Sequence, residues 1–359
     1  MEQAIIYIGT NTRDGSKGIY KSTLNLASGH LSEPTLAASL SSPAFLTTDS
    51  LNRYLYCTGN GDPISDIPAN VVSAFSIDQR NGSLSYLNGQ QIAETNFCHI
   101  STDQQGTVLL GADYHYSKVA AFPLTNDGQI ETVTSYLHHS GYTNNRPDRQ
   151  DVPHLHSINM DRANQFVFVC DFSADEVVVY RYQAETKTIT HHSAVSTASG
   201  AGPRHLTTHP NGEWVYVINE LNGTITLYDF DVASGILAEK QTIATLPDDF
   251  TGTNTTAEIA ISPNLRFLYG SNRGHDSIAH YQIDPQDGHL TFVARTSTTG
   301  EHPRNFTLDP TGQFMLVSNR DTNNVVVFRL DQETGTPVPT GYEINISMPM
   351  CIKIIAQSA

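Results

Sequence analysis

Basic residues are scarce in this 359-residue chain. Lysine and arginine number 20 against 36 aspartates and glutamates, a net charge of -16 at pH 7, and charged residues make up only 16% of the total. A protein that grips a phosphate backbone needs a basic stripe, and these few cations are scattered. Nucleic acid is therefore not expected as a partner, nor is an anionic membrane surface. The same charge repels small anions at long range, so any anion site must rest on a local cluster of arginines. Cysteine is sparse too. Cys57, Cys98, Cys170 and Cys351 lie far apart inside apolar strand patterns, without a C-x-x-C pair or a histidine at ligand spacing. They read as buried free thiols rather than a metal or redox site. Long apolar runs and helical periodicity are missing. The start, Met1-Glu2-Gln3-Ala4, has no basic region and runs straight into strand residues, so neither a signal peptide nor a transmembrane helix is expected and the cytosol is the default compartment.

What the chain does have is a repeated phrase: Trp214-Val-Tyr-Val-Ile-Asn-Glu220, Phe267-Leu-Tyr-Gly-Ser-Asn-Arg273 and Phe314-Met-Leu-Val-Ser-Asn-Arg320, with weaker copies from Ile5, Tyr54, Val108 and Phe166. Turn positions just ahead of the phrase, Asn52, Gly106, Asn164, Gly212, Leu265 and Gly312, are spaced by 54, 58, 48, 53 and 47 residues. Each period holds four strand patterns separated by Asn-Gly or Ser-Gly turns, the punctuation of antiparallel neighbours. A period near fifty with four strands per unit predicts an all-β fold, a seven-bladed β-propeller with four-stranded antiparallel blades, as a single domain over residues 1–359. The first copy lacks an inner strand, and Met348-Pro-Met-Cys-Ile-Lys-Ile-Ile355 aligns with the inner strands of the others. The C-terminal strand is expected to complete blade 1 and close the ring, which removes an exposed sheet edge.

In each inner hairpin the start of the first strand and the end of the second lie side by side, so each blade sends two positions to one rim of the central channel. A sixteen-residue offset gives Arg204 with Glu220, His156 with Phe172, Ala257 with Arg273, and Arg304 with Arg320; blades 2 and 3 give Ala44 with Asn60 and Cys98 with Tyr114. The expected site is therefore a polar crescent on blades 4 to 7, facing an uncharged arc. Guanidinium groups bind carboxylate or phosphate with paired hydrogen bonds and stabilise an oxyanion. His156 and Glu220 have the chemistry of a general acid and base. The bland alternative is that rim charges pair only with one another, Arg204 with Glu220 and Arg273 with Asp276.

Other candidates read as structural. The polar insertion 141–151, with Arg146 and Arg149, could overhang the channel as a lid, but a solvated loop is the simpler expectation; the insertions 59–70 and 248–256 read alike. His205 is expected to point away from the channel, into the interface between blades. His138, His139, His191 and His192 look like surface residues, and His209 sits at a turn on the far rim. No arrangement has the form of a Ser-His-Asp triad, a phosphate-cradling glycine loop or a compact ligand set for a metal.

Tyr7-Ile-Gly-Thr-Asn-Thr12, Ser16-Lys-Gly-Ile-Tyr20, His156-Ser-Ile-Asn159, Gly202-Pro-Arg-His205, Asn219-Glu-Leu221 and Asn272-Arg273 together resemble the seven-bladed propeller lactonases. That family includes propeller-type 6-phosphogluconolactonases and fungal 3-carboxy-cis,cis-muconate lactonising enzymes. The resemblance covers all seven blades. It implies a site of His156, Arg204, Glu220 and Arg273, no metal and no other cofactor, and a small anionic substrate. Arg304, Arg320, Asn60 and Tyr114 are the expected further substrate contacts. The implied reaction is metal-independent hydrolysis of a sugar-acid lactone, foremost 6-phosphogluconolactone to 6-phosphogluconate. A muconate-type cyclase, or a propeller that binds a small anion without turning it over, is the alternative.

Overall fold

The computed structural model describes residues 3–60 and 71–356, so residues 61–70 of the second insertion lie outside the described residues. Among the described residues twenty-eight strands form seven four-stranded antiparallel sheets arranged as a propeller, and the helix content is one 3-10 turn, Thr12–Asp14. Blade 1 takes its inner strand from the C-terminus: Pro349–Ala356 pairs with Gln3–Thr10 in the register Ala4 to Ala356 through Gly9 to Cys351. Blades 2 to 7 begin with the inner strands Leu46–Thr48, Phe97–Thr102, Leu155–Met160, Pro203–Thr208, Thr255–Ile261 and Pro303–Leu308. The six turn markers all adopt positive φ, from 53 to 81°, which explains why asparagine and glycine dominate there.

The core lies between blades rather than inside any one. Each apolar cluster draws on two adjacent sheets, as where Phe168 and Val179 of blade 4 meet Val217 and Tyr228 of blade 5. The repeated phrase supplies these residues because alternate positions of a strand face opposite sides, and both sides of a blade are covered. Burying each such side chain contributes about 2 kcal/mol. The aromatic that opens the phrase has a second task, as a seat for the outer turn of the next blade. A Cβ on Gly235 would stand 2.2 Å from the Phe166 ring and one on Gly288 2.6 Å from Trp214, and both glycines have positive φ, 72 and 77°. Only glycine meets both demands.

Six of the seven inner hairpins share one irregularity, which that of blade 2 lacks. Pairing shifts register between Phe97 and His99, Leu155 and Ser157, Pro203 and His205, Thr256 and Ile259, and Pro303 and Asn305, and on the closing strand beside Thr10. The residues left over are Cys98, His156, Arg204, Ala257 with Glu258, Arg304 and Met350. A bulge inserts an unpaired residue and re-aims its side chain. Here His156 and Arg204 so displaced lie against Glu220, and Cys98, Glu258, Arg304 and Met350 line one small cavity with Arg204.

Candidate active site

Glu220 ends the second strand of blade 5 and stands at the centre of the cluster. Its Oε2 accepts from Arg204 Nε at 2.9 Å and pairs with Arg273 Nη2 at 2.8 Å, while Oε1 accepts from Arg149 Nη2 at 2.6 Å. His156 Nε2 lies 4.0 Å from Oε2, beyond direct hydrogen-bond reach. Arg204 and Arg273 are tied down by backbone as well. Arg204 Nη1 donates to the Ala257 carbonyl at 2.7 Å, and Arg273 Nη2 to that of Thr256 at 2.6 Å. The side chains of Arg204, Arg273, Glu220 and His156 are each less than a tenth exposed. The structure thus brings together the four residues singled out as a group. Arg204 does pair with Glu220 across its own hairpin, but Arg273 turns to Glu220 and not to Asp276. The Asp276 carboxylate accepts instead from the backbone of Gly274 and His302.

One carboxylate among three guanidiniums leaves a net positive pocket in a strongly acidic protein. Burial alone would raise the Glu220 carboxyl, but Arg273, Arg204 and Arg149 hold it well below the usual carboxylate range. It is therefore a permanent anion and a weak base. Burial, then Arg204 and His205, push His156 well below its ordinary value, so its imidazole is neutral. Its Nδ1 is buried without a hydrogen-bond partner among the described residues. Burial also lowers the Arg273 guanidinium to about 10, against the pull of Glu220.

Arg149 was not among the expected site residues; residues 141–148 and 151 are exposed, as in a solvated loop, but Arg149 and Gln150 turn inward. Gln150, fully buried, donates to the Phe172 carbonyl at 2.8 Å and to Asp175 at 2.7 Å, and Asn145 donates to the same aspartate at 2.9 Å. Anchored so, the loop lays Arg149 over the Phe172 ring and onto Glu220. Arg146 stays outside, beside Asp148. The sequence signal was weak: two arginines in an insertion just ahead of blade 4's inner strand.

Tyr114 packs edge-on to His156 and stacks on His154, with ring centroids 5.6 and 4.0 Å apart. Arg304 lies near Arg204 and Arg273 with no carboxylate partner among the described residues, and burial together with those two cations lowers it to about 9. Arg320 is held by Asp321 and His302 and does not join the Glu220 cluster. Asn60 is exposed. His205 departs from expectation. It does bond the next blade, through Glu258, but its ring also meets those of His99 and His156 at the channel, 5.1 and 5.2 Å between centroids. The bulge at Arg204 breaks the two-residue alternation, so consecutive side chains reach the same side. His139, expected at the surface, is instead nearly buried against Asp171 and Tyr180. No cluster of three or more His, Cys, Asp or Glu suited to a metal occurs among the described residues.

A ring of four-stranded blades closed by its C-terminal strand, with buried arginines gathered on Glu220, fits the class: the chain belongs to the seven-bladed β-propeller lactonase family, whose pattern matches residues 5–354, and it is a lactonase. It is 36% identical over 357 residues to the 6-phosphogluconolactonase of Bacillus subtilis (strain 168), covering 99% of this chain and 100% of that protein. It is 31% identical over 339 residues to the 6-phosphogluconolactonase of Formosa agariphila, 92% and 93% of the two chains. Among solved structures, the periplasmic gluconolactonase of Pseudomonas aeruginosa superposes with a TM-score of 0.90 at 28% identity, over 99% of this chain and 100% of the other.

Proposed function

We propose that this protein hydrolyses 6-phosphogluconolactone to 6-phosphogluconate at the channel mouth, without a metal. The observation that carries the reading is the surplus of buried guanidinium over carboxylate around Glu220, a site built for a substrate with negative charge of its own. Below the mouth, Ala44, Cys98, Arg204, Arg304 and Met350 leave a cavity of about 40 Å³, the space of a water molecule or two. In this reading the ligand sits against Arg204, Arg273 and Arg149, apart from the cavity of about 400 Å³ lined by His99, His205, Glu258 and Asn305. Arg304, near Arg204 and Arg273 and without a carboxylate partner among the described residues, adds a further cation for the phosphate. The name of the Bacillus relative supports the phosphorylated substrate. A phosphosugar substrate also favours the cytosol, although the Pseudomonas neighbour is periplasmic; no helix of the described residues is long and apolar enough to cross a membrane.

In this mechanism Arg204 and Arg273 bind the lactone carbonyl oxygen and the oxyanion that forms there, a contribution on the order of 3 kcal/mol per donor in the transition state. His156, neutral, takes a proton from the attacking water as the C–O bond to the carbonyl forms. The ester bond to the ring oxygen then breaks, and that oxygen receives the proton and leaves as a hydroxyl. Glu220, both of whose carboxylate oxygens are taken up by guanidiniums, keeps them in place and does not act as the base.

The test is hydrolysis of freshly generated 6-phosphogluconolactone, coupled to 6-phosphogluconate dehydrogenase, with the spontaneous rate subtracted and a parallel assay after chelator treatment. Acceleration that survives chelation and is lost in R204A and H156A is expected. Turnover of unphosphorylated gluconolactone alone would assign a different substrate, and cyclisation of a muconate a different direction.

A further inference from the structure

Below Arg204 a line of polar side chains runs across three blades without touching Glu220 or the mouth. Asn305 Oδ1 accepts from the backbone N–H of Ile352 on the closing strand at 2.8 Å, and its Nδ2 donates to Glu258 Oε2. Glu258 Oε1 lies 3.0 Å from His205 Nδ1, and His205 Nε2 lies 3.1 Å from Arg204 Nη1. The Arg204–His205 contact is buried and the His205–Glu258 contact partly so, with side-chain exposures of 6% for His205 and 13% for Glu258.

We infer that Glu258 and His205 are positioning residues for Arg204: the carboxylate fixes the histidine tautomer, and the histidine lone pair aims the guanidinium at Glu220 and the mouth. The inference rests on the reading of Arg204 as a substrate-facing group. Its chemistry is constrained from both ends. An ionised carboxylate only accepts and a guanidinium only donates, so Nδ1 must carry the proton and Nε2 the lone pair. In the other tautomer, or with both nitrogens protonated, an N–H would face the Arg204 N–H and that bond would be lost. Burial and Arg204 lower His205 to about 4 despite the opposing pull of Glu258, so the neutral ring is the form present near neutral pH. Orienting a reactive group through a buried outer partner is a general device, and losing such a partner commonly costs tenfold or more.

Two substitutions at Glu258 separate positioning from mere stability. In E258Q the amide oxygen can still accept from Nδ1–H, but its NH2 faces the Asn305 amide donor. That variant should keep kcat within threefold while its melting temperature falls. E258A removes the acceptor altogether. Its kcat should drop at least tenfold with KM changed less than threefold, and 15N shifts of the His205 ring should report Nδ1 protonated in wild type and E258Q but a tautomer mixture in E258A. Should E258A not fold, the apolar pair E258L/H205L carries the same kinetic expectation. A folded E258A with wild-type kcat, or wild-type His205 protonated on Nε2, overturns the inference. R204A, assayed alongside, separates the two claims. If R204A keeps its turnover, the substrate-facing reading fails and the inference with it; if R204A loses turnover while E258A keeps it, only the inference fails.

Discussion

Blades 1 to 3 and blades 4 to 7 place residues at equivalent positions, through the same bulge in every blade but the second, yet only one arc is charged. The positions are Met350, Ala44 and Cys98 on one side and His156, Arg204, Ala257 and Arg304 on the other. Backbone repetition thus supplies an address, and the side chain at that address supplies the chemistry. Blade 6 shows how closely the two are coupled. Its Ala257, fully buried, is small and lends only its carbonyl to Arg204, while the same blade's second strand sends in Arg273. The charged arc is also the one under the 141–151 loop, whose Arg149 supplies the third cation on Glu220.

The comparison breaks most completely at Glu220. Glu220→Ala leaves Arg149, Arg204 and Arg273 without their common anion. Removing one partner of a buried ionic group typically costs about 3–5 kcal/mol, so urea denaturation should show a loss of that size, and lactone turnover should disappear with it. A variant within 1 kcal/mol of wild type would mean that the cluster is not coupled. Next is Arg204→Ala, expected to lower kcat by roughly 10²–10³, with Arg204→Lys failing to restore it because an ammonium cannot reproduce the paired geometry. Arg149→Ala should act more mildly, about tenfold on KM with kcat changed less, since Gln150 and Asn145 still anchor the loop.

Acid should undo the charged arc through stability. His205 has a folded pKa lowered from 6.5 to about 4. A lowered histidine is bound by fewer protons when folded, so stability falls as pH drops below 6.5 and the loss is complete near 4. It amounts to on the order of 3 kcal/mol for a shift of this size. The depressed Glu220 carboxyl acts in the same direction lower down: its contribution is present above its ordinary 4.5 and is lost as pH falls further. Denaturation midpoints measured from pH 7 to 4 should decline, and H205L should flatten that decline. The smallest effect sharpens the comparison from the other arc: Cys98→Ala, at the same bulge but uncharged, should leave kcat within twofold.

Much of this was legible in the chain because it rests on local pattern repeated seven times. Strand alternation, the opening aromatic and the turn residues recur at a period near fifty, and the sixteen-residue offset between Arg204 and Glu220 follows from one hairpin. Arg149 escaped because its contact spans 71 residues and depends on a loop held by Asp175. For His205 the sequence foresaw the interface with the next blade, where it bonds Glu258, but not its ring contacts with His99 and His156. A strict two-residue alternation turns His205 away from the channel, and a single bulge reverses that assignment.

By itself, then, the sequence determined the seven blades, the closing strand and the hairpin offset that sets Arg204 beside Glu220, since hydrophobic period, turn chemistry and hairpin register act over a few residues. The tertiary structure decided which side chains converge. That choice depends on bulges that redirect single residues and on ring closure, which sets Glu258 of blade 6 beside His205 of blade 5, 53 residues away, and Arg149 above them both on the Glu220 carboxylate.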